Sequence, residues 1–210
     1  MRWLLQKAHA GDVAVLTSSG SNGYNNYLYT DLGLPVNYVE PLVITSVAGA
    51  TNPNVLNKVA NAEMRWFAGS YQYNYISFFK NNALEDLINN HINVKSAPIG
   101  GTSAGKAILC GNYFSAQNGT VTSAEAPFNP YNNKTTLGAN DFLEVSYKQT
   151  IITDTHFDYY YRKGRLTAFL GKRATHAATR SFGIAANEYV AICIDEYGKV
   201  RVFGNYTAYQ

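Results

Sequence analysis

A chain of 210 residues, 46% hydrophobic and 15% charged, is long enough for one α/β domain with a filled core and short for two. No apolar run is long enough to cross a bilayer, and a net charge of +3, with its densest basic run confined to "YYRKGR" at 160–165, excludes the broad basic face of a nucleic-acid binder. Cys110 and Cys193 lie in apolar segments that read as core, so neither a disulfide framework nor a thiolate metal site is expected.

In chain order, "RWLLQKAHA" has a helical pattern that ends at Gly11, "DVAVLTS" reads as a buried strand, and "YNNYLYTDLG" reads as a short helix closed by Gly33. The chain starts almost directly on that first pattern, with no signal peptide, which points to an element missing upstream. "NYVEPLVIT" follows as a strand, "NPNVLNKVANA" as a helix with Pro53 in its first turn, and "EMRWFAG" as a strand running into a glycine. Residues 71–94 carry helical periodicity over one or two helices, "APIGG" is a short apolar strand, and "SAGKAILCGNYF" reads as the next helical run. Residues 115–138, rich in Asn, Ser, Thr and Pro, fit a long irregular excursion. Beyond it, "QTIITDTHF" reads as a strand and "RKGRLTAFLGKRATH" as a helix. "SFGIAANEYVAICID" and "KVRVFGNY" read as two strands joined by the turn "EYGK". Alternating strands and helices predict a three-layer α/β sandwich with a mostly parallel central sheet, in a single domain over 1–210. The sparse Lys and Glu and abundant Tyr and Asn favour a secreted over a cytoplasmic protein, and Asn118, Asn133 and Asn205 each begin an NxT pattern of the kind an Asn-rich chain produces by chance.

"GTSAG" at 101–105 matches GxSxG, in which a serine sits on a strained turn between strand and helix. Such a turn exposes the hydroxyl at the carboxyl end of a strand and aims the following amide, here that of Ala104, at a tetrahedral oxyanion. The preceding short strand and the following helical run supply the context the motif needs. Ser103 also needs a base. His9, His91 and His176 sit at helix ends or in polar stretches, whereas His156 ends an apolar strand and in a parallel sheet emerges at the same edge as a serine elbow. Asp154, Glu125 and Glu188 all qualify by type as the acid that fixes the tautomer of His156, and spacing does not choose among them. Arg162 and Arg165, three apart on the first turns of a helix, suit an acidic ligand.

Together, "GGTSAGKAIL", "ITDTHFDYYYRKGRL" and "FAGSYQ" resemble the cyanophycinase-like serine peptidases over most of the chain. The resemblance implies a fold related to class I glutamine amidotransferases, Ser103 as nucleophile, His156 as base, and Gln72, Asp154, Thr155, Arg162 and Arg165 around the substrate. Relatives draw the triad acid from the segment after the serine, so "TSAEAP" implies Glu125 rather than Glu188. The amides of Ala104 and of the loop at Gly69–Ser70 would hold the oxyanion. The implied substrate is a peptide or isopeptide rich in aspartate, with Asp154 meeting a substrate guanidinium and the two arginines its carboxylates. No metal or organic cofactor is implied, neither nucleic acid nor membrane is a partner, and a homodimer is left open. The chain departs from the family where "GGDQ" becomes Gly69, Ser70, Tyr71 and Gln72, where Thr155 replaces a glutamine, where Tyr160 replaces an arginine, and where a first strand before the opening helix is missing. Two expectations follow: a serine hydrolase cleaving beside aspartate, or a catalytically silent protein that keeps a pocket for an acidic ligand.

Overall fold

The computed structural model describes residues 1–20, 23–146, 149–159, 161–176 and 180–210. Tyr160 lies outside the described residues. Two compact units divide the chain, Met1–Gly105 and Lys106–Gln210.

The first unit opens with α1 (Arg2–Lys7), which stops short of the expected length because His9 and Ala10 take left-handed backbone with φ of 50° and 63°. After β1 (Asp12–Thr17) comes a π-helical turn, Tyr27–Asp31, where an ordinary short helix was expected. β2 (Tyr38–Val43), α2 (Val47–Ala50), α3 (Pro53–Asn61) and β3 (Met64–Phe67) follow. The long helical stretch divides into α4 (Gln72–Phe79) and α5 (Ala83–Asn93). Asn81 breaks it at φ 60°, and the Asn82 side chain caps the second helix by accepting from the Leu84 amide at 3.0 Å. β4 (Ile99–Gly101) ends the unit's strands, and the sheet order is β2-β1-β3-β4, parallel throughout.

Both faces of that sheet are covered, as an all-parallel sheet requires. Val13, Val15 and Trp66 pack with Leu5 and Leu28 on one face. On the other, Phe67 meets Tyr75 edge-on at 5.4 Å, and Tyr75 meets Phe79 at 5.3 Å. Period-two alternation along β3 thus sends Trp66 and Phe67 into different layers. Full burial of such side chains contributes roughly 1.5–3 kcal/mol each.

α6 (Ala104–Ala107) carries the chain from one unit into the next, and it is a single turn rather than the long helix expected. Residues Asn112–Phe114 instead form β5. A side chain at Gly111 would lie 2.5 Å from the Gln149 backbone, so a glycine there lets the chain pass close by and enter the sheet. The excursion holds α7 (Glu125–Phe128) and β6 (Leu137–Ala139), then β7 (Ile151–Asp154), α8 (Lys163–His176) and β8 (Phe182–Ala186) follow. β9 (Val190–Ile194), β10 (Val200–Gly204) and β11 (Ala208–Tyr209) complete the chain. The stretch 181–195, expected as one strand, is two: Tyr189 turns it at φ 57°, so β8 joins the sheet β11-β8-β7-β5-β6 while β9 and β10 form a separate antiparallel hairpin. β7 runs parallel to both β5 and β8, with β6 and β11 antiparallel at the edges. α8 seals one layer of this unit: Leu166 and Phe169 join Ile152 and Phe114, and the Phe114 and Phe169 rings stack at 4.8 Å. The architecture is α/β with mostly parallel strand pairing flanked by helices, as alternation predicts.

Candidate active site

In the first unit, parallel pairing aligns the carboxyl ends of β1, β3 and β4, with Leu16 opposite Phe67 and Phe67 opposite Gly101. Loops that leave one edge together form a ligand-facing rim. The Thr102 amide donates to the Phe67 carbonyl at 3.0 Å, extending the ladder by one bond before the chain turns. Ser103 then takes φ 50°, a left-handed conformation that non-glycine residues hold at a cost and that clusters at functional sites. The Gly105 amide closes the turn on the Thr102 carbonyl at 2.9 Å. A Cβ at Gly105 would stand 2.3 Å from the Phe67 carbonyl oxygen, which is why the elbow needs glycine there. Ala104, buried, follows the serine as the first residue of α6.

The loop after β3 passes directly beside this turn: a Cβ at Gly69 would lie 3.4 Å from the Ser103 Cβ and 4.0 Å from its Oγ. Ser70 Oγ donates to Ser19 Oγ at 3.2 Å and lies 2.7 Å from Ser18 Oγ, both in the loop after β1. Gln72 opens α4 and is half-buried. Ser103, Ala104, Gly69, Ser70 and Gln72 therefore all belong to the loops and helix starts at one edge of the first unit's sheet.

In the second unit, β7 ends at Asp154, and two residues later His156 takes φ 49°. Its Nδ1 lies 2.6 Å from Glu188 Oε1. A carboxylate at that distance holds the proton on Nδ1 and makes Nε2 the basic nitrogen. Glu188 is itself placed by its own amide, which donates to Asp158 Oδ1 at 3.3 Å. The expectation that Glu125 orients His156 is corrected here. Glu125 Oε2 accepts from the Thr122 amide at 2.9 Å while its own amide donates to Thr122 Oγ1 at 3.1 Å, a capping box at the start of α7, and its other oxygen meets Lys134 Nζ at 3.0 Å. Those hydrogen bonds, the Thr122 amide foremost, hold the Glu125 carboxyl down to about 2. The motif Thr-x-x-Glu in "TSAE" carried that signal in the sequence. Strand register brings Glu188 to the histidine instead: β8 runs parallel to β7 with Ala185 opposite Asp154, so the loops that follow both strands leave side by side.

Asp154 and Arg165 are also placed otherwise than expected. Each is almost fully buried, with side chains 4% and 6% exposed, and they pair with one another. Arg165 Nε donates to Asp154 Oδ2 at 2.7 Å and a second guanidinium nitrogen donates to Oδ1, a two-pronged geometry specific to arginine. Arg165 also donates to Thr120 Oγ1 at 3.1 Å and lies over the Phe114 ring at 5.2 Å. The two charges thus meet one another inside the unit, where the sequence led to roles toward a substrate guanidinium and carboxylate. The pair also orders the turn that carries His156, because Asp154 Oδ1 accepts from the Thr155 amide at 2.8 Å. Arg162 donates to the Thr155 carbonyl at 2.8 Å and lies 3.7 Å from Asp154 Oδ1. Lys106, half-buried, is pushed down to about 8 by loss of solvation, against the opposing pull of Asp154 and Cys110. Among the described residues no group of three His, Cys, Asp or Glu side chains could hold a metal ion, and no helix is long and apolar enough to cross a membrane.

No family model matches the chain, and no curated protein matches it by sequence. Solved structures do. A peptidase from an acI-B1 Actinobacterium superposes with a TM-score of 0.64 at 15% identity, over 99% of this chain and 81% of that one. A protein from Listeria monocytogenes provisionally assigned as a peptidase E superposes with a TM-score of 0.55 at 16% identity, over 92% and 86% of the two chains. At such identities the likeness is one of fold: this chain shares the α/β architecture of those two proteins along nearly its whole length.

Proposed function

We propose that the chain is a serine-type peptidase in which Ser103 attacks the scissile carbonyl, His156 takes the serine proton and returns it to the leaving amine, and Glu188 orients His156. The observation that carries the proposal is the 2.6 Å contact between His156 Nδ1 and Glu188 Oε1, which leaves Nε2 to act as the base. The left-handed Ser103 on a glycine-closed elbow supports it, as does the fold shared with two proteins described as peptidases. In this proposal the amides of Ala104 and of the 69–70 loop receive the developing oxyanion. The resemblance of three motifs to the cyanophycinase-like family suggests a peptide or isopeptide bond beside aspartate, with Gln72, Thr155 and Arg162 reading the substrate. Arg165 and Asp154 support that reading only from behind, by fixing the His156 turn.

Labelling by a fluorophosphonate probe tests the chemistry without a known substrate. The unmodified chain is expected to label, and both Ser103→Ala and His156→Ala to lose labelling by on the order of 10³-fold or more while remaining folded. A folded, unlabelled parent chain would replace the peptidase with a binding protein. Release of dipeptide from a β-aspartyl-arginine polymer, followed by mass spectrometry, tests the substrate class separately.

A further inference from the structure

We propose, resting on the reading of Ser103 as nucleophile, that Ser18 is a positioning residue for the oxyanion loop, acting through a hydrogen-bonded chain of three serine hydroxyls. β1 and β3 leave the sheet side by side, with the Ala68 amide donating to the Leu16 carbonyl at 2.9 Å. The Tyr75 hydroxyl lies 2.8 Å from the Ala68 carbonyl and 3.2 Å from that of Leu16, tying the bases of both loops to one side chain. Above that point the serines bond across the two loops: Ser18 Oγ lies 2.7 Å from Ser70 Oγ, and Ser70 Oγ donates to Ser19 Oγ at 3.2 Å. The start of the first loop is itself fixed, since Thr17 Oγ1 donates to the Ser19 carbonyl at 2.7 Å, and Ser18 is buried at 4% exposure.

The geometry gives the clasp a role in the chemistry. The Gly69 backbone runs against Ser103, and Ser70 is the next residue, so the peptide joining 69 to 70 is held from one side by the hydroxyl chain. An oxyanion donor is effective in proportion to how rigidly it is aimed before reaction. A glycine at 70 would leave the loop more backbone freedom and no side chain to anchor. The serine found here ties the loop down through Ser18 and Ser19 instead.

The test is a double-mutant cycle on the second-order rate of fluorophosphonate labelling, using the parent chain, Ser18→Ala, Ser70→Gly and the pair together. Affinity for phenylboronic acid, whose tetrahedral adduct carries an oxyanion, is measured alongside. Each single variant is expected to slow labelling by about 10-fold, a fraction of the loss of a whole oxyanion donor. The double variant is expected to be no slower than either single, with boronate affinity falling in parallel. A purely structural role would lower the melting temperature and leave the labelling rate per folded molecule unchanged, which overturns the proposal. So does parental labelling in Ser18→Ala, or two effects that multiply. A parent chain without Ser103-dependent labelling overturns the nucleophile itself, and the clasp with it; the two failures are therefore told apart by the parent.

Discussion

Two glutamates of similar chemistry have separate tasks, and the difference lies in what each carboxylate touches. Glu188 meets the ring nitrogen of His156, whereas Glu125 caps a helix and pairs with Lys134. Glu188→Gln is therefore expected to slow fluorophosphonate labelling by on the order of 10² to 10⁴, because an amide can stabilise the wrong imidazole tautomer and cannot balance an imidazolium. Glu125→Gln should label at the parental rate. Its effect should appear in acid: with the native carboxyl near 2 and an ordinary value of 4.5, the group contributes stability above 4.5 that is lost as pH falls through 2. The gap in melting temperature between parent and Glu125→Gln should shrink over that window, as circular dichroism would record.

Between elements, the pair linking the end of β7 to α8 is a charge interaction almost wholly removed from water. Removing one partner strands the other. Asp154→Ala leaves the Arg165 guanidinium buried over Phe114 without its carboxylate and takes the acceptor from the Thr155 amide, so a loss of about 3–5 kcal/mol is expected in urea unfolding. Labelling should fall too, since the same carboxylate shapes the turn of His156. The sequence showed Asp154 and Arg165 as charged residues near a candidate base, from which roles toward a substrate follow naturally. Their actual pairing depends on the first turn of α8 folding back over β7, a contact across eleven residues that spacing alone does not reveal. At this scale two elements depart from the sequence expectation, each at its own local feature. The helical run after Ser103 gives way to β5, which the chain enters at Gly111 beside a close backbone neighbour, and the long strand at 181–195 divides where Tyr189 turns left-handed.

On the scale of the whole chain, stability should respond to Lys106. Burial lowers its amine from 10.5 to about 8, so between those values the native chain binds fewer protons than the unfolded one and stability rises with pH. Lys106→Met should raise the urea midpoint at pH 7 and flatten its rise between pH 8 and 10.5; a slope equal to the parent's would place the cost elsewhere. The alternation of strands and helices was enough to specify an α/β chain of parallel strands, because that order of apolar segments can bury its faces in few other ways. Equally local were the elbow at Ser103, which needs only a strand, two glycines and a helix start, and the emergence of His156 at the end of a strand. Tertiary structure alone decided which acid serves His156, that Asp154 and Arg165 neutralise each other, and that Ser70 is tied to Ser18 and Ser19. Each of those is a choice among chemically equivalent partners distant in sequence, and it is settled by which strands become neighbours and in what register.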